Sequence, residues 1–185
     1  MTLWLISGCD GKSTMFINLV KSFRIRTVSH YRPVDALRIS RGIKSGTSDI
    51  HVFSSHFFTT LKNESASAVT KWTATRRIDI FKKKLIFIPI NDALHWSLSV
   101  VVNPGAVLDT CKGEGSLDGP LCCMLFFDSL RAHKKSSVHR NVAKWLNSEW
   151  KRLKKGQEAS KEDPFLDKLS FPVYEPTGKL TDFSG

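Results

Sequence analysis

An α+β fold is what this 185-residue chain predicts. Three short apolar runs, each bounded by turn residues, read as strands, and one long segment carries helical periodicity. Core material is plentiful. Hydrophobic residues make up 41% of the chain and include 12 Phe and 5 Trp, enough for one domain of ordinary size.

The elements follow in order. Val52 to Leu61 reads as a helix or turn packed by Phe53, Phe57 and Phe58. Leu85 to Ile90 is apolar throughout, with Pro89 near its end, and reads as a buried strand. Trp96 to Val102 alternates and then becomes a Val run, a second strand; Leu121 to Phe127 is a third. Their near-continuous apolarity predicts a sheet covered on both faces. From Ser137 to about Lys154 the spacing predicts a helix. Val138, Val142, Trp145, Leu146, Trp150 and Leu153 form its inner face and Arg140, Lys144 and Lys151 its outer one. Ser136 or Ser137 is the expected N-cap. Residues 41–50, 103–120 and 156–165 are turn-rich or polar and read as loops, and Glu175 to Gly185 shows no periodicity.

The net charge is +11, and the excess is local. Residues 131–155 hold nine Lys or Arg against one acid, and residues 71–84 hold six against one. Such surfaces suit an acidic partner, nucleic acid or protein; solvated faces are the plainer alternative. No apolar run approaches the ~18 residues of a membrane span. Thr2 to Ile6 is too short, and lacks the basic flank, for a secretory segment. A soluble intracellular chain is therefore expected. The four cysteines, Cys9, Cys111, Cys122 and Cys123, include no Cys-x-x-Cys pair, so a zinc site is not expected. Cys122 and Cys123 alternate faces if they lie on a strand.

Ser7-Gly8-Cys9-Asp10-Gly11-Lys12-Ser13-Thr14 resembles a phosphate-binding loop ahead of a plausibly helical stretch, Met15 to Phe23. Its spacing fails, because the position that needs the first Gly holds Ile6 and Gly8 comes two residues too late. Nucleotide binding at Gly8–Thr14 is a disfavoured alternative to a simple turn.

The informative stretch holds Lys71-Trp72-Thr73, Ile78-Asp79-Ile80-Phe81, Ile86-Phe87-Ile88-Pro89-Ile90-Asn91, Leu94-His95-Trp96-Ser97-Leu98 and Phe126-Phe127-Asp128-Ser129-Leu130-Arg131. A His at the start of a strand, behind a turn, can point its ring into a cleft. An Asp at the end of the next strand can accept the Nδ1–H bond that sets the tautomer and supports the imidazolium. As an ordered series, these residues resemble the catalytic domain of the Ulp/sentrin-specific protease family, cysteine peptidases that process SUMO and related ubiquitin-like proteins. Val52 to Phe58 and Val142 to Lys154 match the branch whose domain can be interrupted by inserts, so the resemblance covers about residues 50–155.

The resemblance implies a papain-like cysteine peptidase fold, a small mixed sheet with flanking helices. It implies that His95 is the general base, Asp128 its orienting acid, and Trp96 the cover for the substrate's narrow Gly-Gly tail. It also implies SUMO or a SUMO-like protein as partner, no cofactor, and a place in the nucleus and/or cytoplasm. Three segments follow: 1–49 divergent, 50–174 a partial protease domain, 175–185 a non-matching tail. The family's nucleophile lies after the Asp in a Gln…Asp-Cys-Gly motif. Here no Cys follows Asp128, and no such Gln precedes one. Phe171 to Pro176 resembles the approach to that motif, but Thr177 to Gly185 departs from it. The family's opening Trp-Leu-Asn-Asp element is not recognisable in residues 1–49.

The expectation is therefore a domain incomplete at both ends, truncated before its nucleophile and inactive in hydrolysis, with apolar surface left open at Trp145 or Phe165. Cys122 and Cys123 sit in hydrophobic surroundings that raise a thiol pKa, so they are poor substitutes. The competing class is a non-catalytic SUMO-binding remnant. Nucleic-acid binding through the basic helix lacks a supporting motif.

Overall fold

The computed structural model describes residues 49–107, 120–153 and 171–175. Branched and aromatic side chains drive Leu85–Asp92 (β2) and His95–Val102 (β3) into an antiparallel pair, in register from Leu85 opposite Val102 to Asp92 opposite His95. Two residues close the hairpin, Ala93 and Leu94, with φ of 50° and 61°. Positive φ at both loop positions matches the twist of the flanking strands, and neither residue is the glycine that would adopt it without strain. Ile50–Val52 (β1) lies parallel to β2 and has ended before Pro89, so the proline stands where one side of β2 has no described strand beside it. Cys123–Phe127 (β4) runs antiparallel to β3, and Val173–Tyr174 (β5) lies parallel to β4. The mixed sheet has the order β1-β2-β3-β4-β5.

Strand alternation divides the apolar side chains between two buried clusters. Ile86, Ile88, Ile90, Val101, Met124 and Phe126 face the helices; Leu85, Phe87, Val100, Val102, Cys123 and Leu125 pack on the other side. Both faces are therefore covered, as continuous apolar strands require. Cys122 and Cys123 fall in opposite clusters.

The Phe-rich segment is helix His56–Asn63 (α1). Ala66–Thr75 (α2) follows, its end capped by Ser65 Oγ, which accepts from Ala68 N at 3.2 Å. Lys135–Leu153 (α3) is the long helix. Trp145 anchors it to the core, edge-on to Phe57 at 5.0 Å and to Phe53 at 5.3 Å. The expected opening at Trp145 is thus wrong: its side chain is fully buried. The Phe rings of α1 and the segment before it fill the space above it.

The cap of α3 also differs from expectation. Ser136 and Ser137 lie inside the first turn, and the Lys134 carbonyl accepts from Ser137 N (2.9 Å) and Val138 N (3.1 Å). At the far end Leu153 is exposed. The inner face over the last turns is Trp145, Leu146 and Glu149, with Arg152 half-buried beside them and Trp150 edge-on to Phe81 at 5.6 Å. Glu149 is fully buried yet accepts from Thr73 Oγ1 of α2 and pairs with Arg152 at 2.7 and 3.0 Å. Arg152 also donates to the Ile78 carbonyl at 3.0 Å. A buried carboxylate is tolerable only when so supplied with donors, and it joins α3 to α2. Arg140, Lys144 and Lys151 are exposed, as expected.

The Gly8–Thr14 segment, Met15 to Phe23, Cys9, Cys111, Phe165 and most of the 103–120 and 156–165 segments lie outside the described residues.

Trp145→Ala is expected to cost ~3–5 kcal/mol, since its bulk is removed from a packed site. Leu153→Ala should cost under about 0.5 kcal/mol. Urea midpoints of the two variants against the parent check the contrast.

Candidate active site

His95 opens β3 immediately after the strained Leu94, and Asp128 follows the last residue of β4. The β3–β4 ladder ends at Leu98 opposite Phe127, so both side chains project just past its end. His95 Nε2 lies 2.6 Å from Asp128 Oδ1, with the two side chains 13% and 3% exposed. A carboxylate only accepts, so Nε2–H is the donor, and in the neutral ring Nδ1 has the lone pair. The nitrogen is therefore Nε2 and not the expected Nδ1: the far side of the ring spans the gap from β3 to the residue after β4.

The turn after β4 wraps its own backbone around the carboxylate. Oδ1 also accepts from Leu130 N at 3.2 Å and Oδ2 from His133 N at 2.8 Å. Arg131 takes φ 52° within that turn. Burial pushes the Asp128 carboxyl up. The His133 amide and the hydrogen bond and charge of His95 outweigh it and hold the group below the usual carboxylate range. Asp128 is thus a built anion site facing an imidazole.

Trp96, next along β3, is 54% exposed. Strand alternation turns it away from the direction of His95. The described cysteines are remote. Cys123 pairs with Val102, seven residues along β3 from His95, or about 23 Å at ~3.3 Å per residue. Cys122 and Cys123 are also buried.

Sequence reasoning missed His133. Its Nδ1 lies 2.7 Å from Ser97 Oγ and its Nε2 3.1 Å from the Asp92 carbonyl. Its ring centroid is 4.9 Å from that of His95, tilted by 50°. The available signals were a His five residues past the Asp and a Ser two residues past His95, on the same strand face. His95, Asp128 and His133 offer ligand-type atoms within 4.8 Å of one another. Hydrogen bonds already occupy His95 Nε2 and both nitrogens of His133, and a metal would have to displace them. Asp92 is itself anchored by Lys62 of α1 at 2.5 Å, a hydrogen-bonded ion pair that lowers its pKa.

Comparison with known proteins adds an independent line. Residues 34–174 match the model of the Ulp1 protease family, C-terminal catalytic domain. Probable ubiquitin-like-specific protease 2A of Arabidopsis thaliana is 31% identical over 115 residues, 55% of this chain and 14% of that protein. Ubiquitin-like protease 2 of Caenorhabditis elegans is 41% identical over 68 residues, 36% of this chain and 7% of that protein. A crystal structure of a de-sumoylating protease superposes with a TM-score of 0.52 at 28% identity, covering 77% of this chain and 48% of that one. The chain therefore spans only a small part of the curated relatives it matches. The fold is papain-like, α+β with a mixed sheet.

Because the folded pKa of Asp128 lies below the unfolded one, its contribution to stability is full above the ordinary Asp value of about 3.9. It is lost as pH falls through the folded value. Asp128→Asn should therefore lower the urea midpoint most at neutral pH, with the gap to the parent narrowing below about pH 4. A gap that stays constant with pH would contradict this assignment.

Proposed function

The chain belongs to the Ulp1 protease family, and from that premise we propose that it carries the base and orienting acid of a thiol peptidase site for a ubiquitin-like protein. The observation that carries the reading is the 2.6 Å contact between His95 Nε2 and Asp128, which leaves the Nδ1 lone pair to take a proton. In this reading a thiol would lose its proton to Nδ1, and Asp128 would stabilise the resulting imidazolium. Relatives named for ubiquitin-like and sentrin specificity support SUMO or a SUMO-like protein as the partner. Nuclear or cytoplasmic action, and a peptidase unit over 50–174 flanked by distinct ends, go with that reading.

No cysteine follows Asp128, where the family resemblance places the nucleophile, and the described cysteines are buried far from His95. The 185-residue chain is therefore proposed not to hydrolyse substrate by itself. One observation supports a binding role beside this: Trp96, the neighbour of His95 on β3, is exposed, and in this reading it would cover an extended, side-chain-free tail.

Purified chain incubated with tail-labelled SUMO should release no label, since loss of the nucleophile from such a unit costs several orders of magnitude in rate. Labelled SUMO should still bind at low salt, more weakly as salt rises. Turnover blocked by a thiol reagent, and abolished by substituting one of Cys9, Cys111, Cys122 or Cys123, would overturn the first expectation. Absence of binding by the folded chain would overturn the second.

A further inference from the structure

The β3–β4 ladder stops at Leu98 opposite Phe127, so no backbone bond of the ladder holds His95 against Asp128. The contact depends on how the turn after β4 sits against the β2–β3 hairpin. His133 is the residue that ties the two. We propose that His133 is a positioning residue, clamping the turn that carries Asp128 onto the hairpin that carries His95. The proposal rests on, and deepens, the reading of those two residues as base and orienting acid.

The chemistry of the clamp follows from its partners. The Asp92 carbonyl only accepts, so His133 Nε2 must carry the proton it donates at 3.1 Å. In the neutral ring Nδ1 then has the lone pair, and the Ser97 hydroxyl donates to it at 2.7 Å. One ring thus joins the end of β2 to the third residue of β3. Ser97 is buried and lies on the same strand face as His95, so its hydroxyl needs such a partner. The His133 peptide N–H meanwhile holds Asp128 Oδ2, the oxygen that His95 does not use. Finally, the ring lies 4.9 Å from that of His95 with no hydrogen bond between them, forming a wall that limits the imidazole's rotation. Lys62, through Asp92, extends the same clamp to α1.

The clamp can be read without turnover, by NMR of the full 185-residue chain. The probe is the His95 Hε2 proton bonded to Asp128, identified by its loss in Asp128→Asn. In the parent this proton should be low-field and slow to exchange with water. His133→Ala keeps the backbone N–H but removes the ring; exchange should accelerate on the order of tenfold or the signal vanish, with the unfolding transition retained. His133→Gln should restore slow exchange, because its amide can donate to the Asp92 carbonyl and accept from Ser97. If His133→Ala does not fold, Ser97→Ala removes one tie alone and should accelerate exchange by a smaller factor. A slow Hε2 proton in the parent that is unchanged in the folded His133→Ala variant, or in Ser97→Ala where that variant does not fold, overturns the role of His133 alone. Its absence from the folded parent overturns the His95–Asp128 reading and the clamp with it.

Discussion

The antiparallel register of β2, β3 and β4 is the constraint on which the site depends. It sets His95 opposite Asp92 across a two-residue hairpin, and it ends the β3–β4 ladder one residue short of Asp128. A one-residue slip of β3 would turn His95, Ser97, Ser99 and Val101 to the other face and move Val100 and Val102 out of their cluster. The slip is blocked by burial on both sides of the sheet. Alternating residues of β3 face different cores, and an exchange would put the hydroxyls of Ser97 and Ser99 into the apolar cluster now filled by Leu98, Val100 and Val102.

Two carboxylates are withdrawn from water, and the structure treats them differently. Glu149, at the α2–α3 junction, is enclosed by a threonine hydroxyl and a guanidinium on its own helix, so it reads as an internal tie. Asp128 receives backbone amides from the turn that follows it and keeps one oxygen for an imidazole on another strand. The first arrangement is closed. The second leaves a ring nitrogen with a lone pair at the end of a sheet, beside an exposed tryptophan, which is what proton transfer to His95 would need. The two buried cysteines show the complementary point. Thiols at the start of β4 and just before it, buried among the apolar groups of the two cores, serve packing.

Three of the five described non-glycine residues with positive φ lie at the same edge, the other two being Arg77 and Asn103. Ala93, Leu94 and Arg131 take positive φ without being glycine, in the two turns that present His95 and Asp128. Each such residue costs on the order of 1 kcal/mol and persists only where its surroundings hold it. The Lys62–Asp92 pair, the His133 ring and the Asp128 carboxylate, which accepts from the Leu130 and His133 amides, are side-chain contacts that do so. The well-packed interior, with Trp145 against Phe53 and Phe57, supplies the rigid frame behind them.

The amino-acid order marked β2, β3, β4, α1 and α3, but not β1, α2 or β5, which are short or weakly periodic. Apolar continuity marked β2, β3 and β4 and a 3.6-residue period marked α3, while His95, Trp96 and Asp128 were singled out by the resemblance of the series from Trp72 to Arg131 to a known family. These are local signals, since periodicity and strand bounding need only neighbours in the chain. The outer face of α3 was legible for the same reason, whereas its cap and its last inward turn were not. Serines fit an N-cap by type, but whether they occupy it depends on where the preceding turn delivers the chain. Leu153 lost its place because Glu149 and Arg152 found partners on α2 and at Ile78, more than 70 residues away. Likewise Nε2 in place of Nδ1, and the whole role of His133, follow from hydrogen bonds spanning 33 to 41 residues. Such contacts are set by sheet register and helix packing together, and no window of sequence contains both ends of them. What the residues can do chemically was therefore readable from their types, and which atoms meet was decided only when the strands were laid side by side.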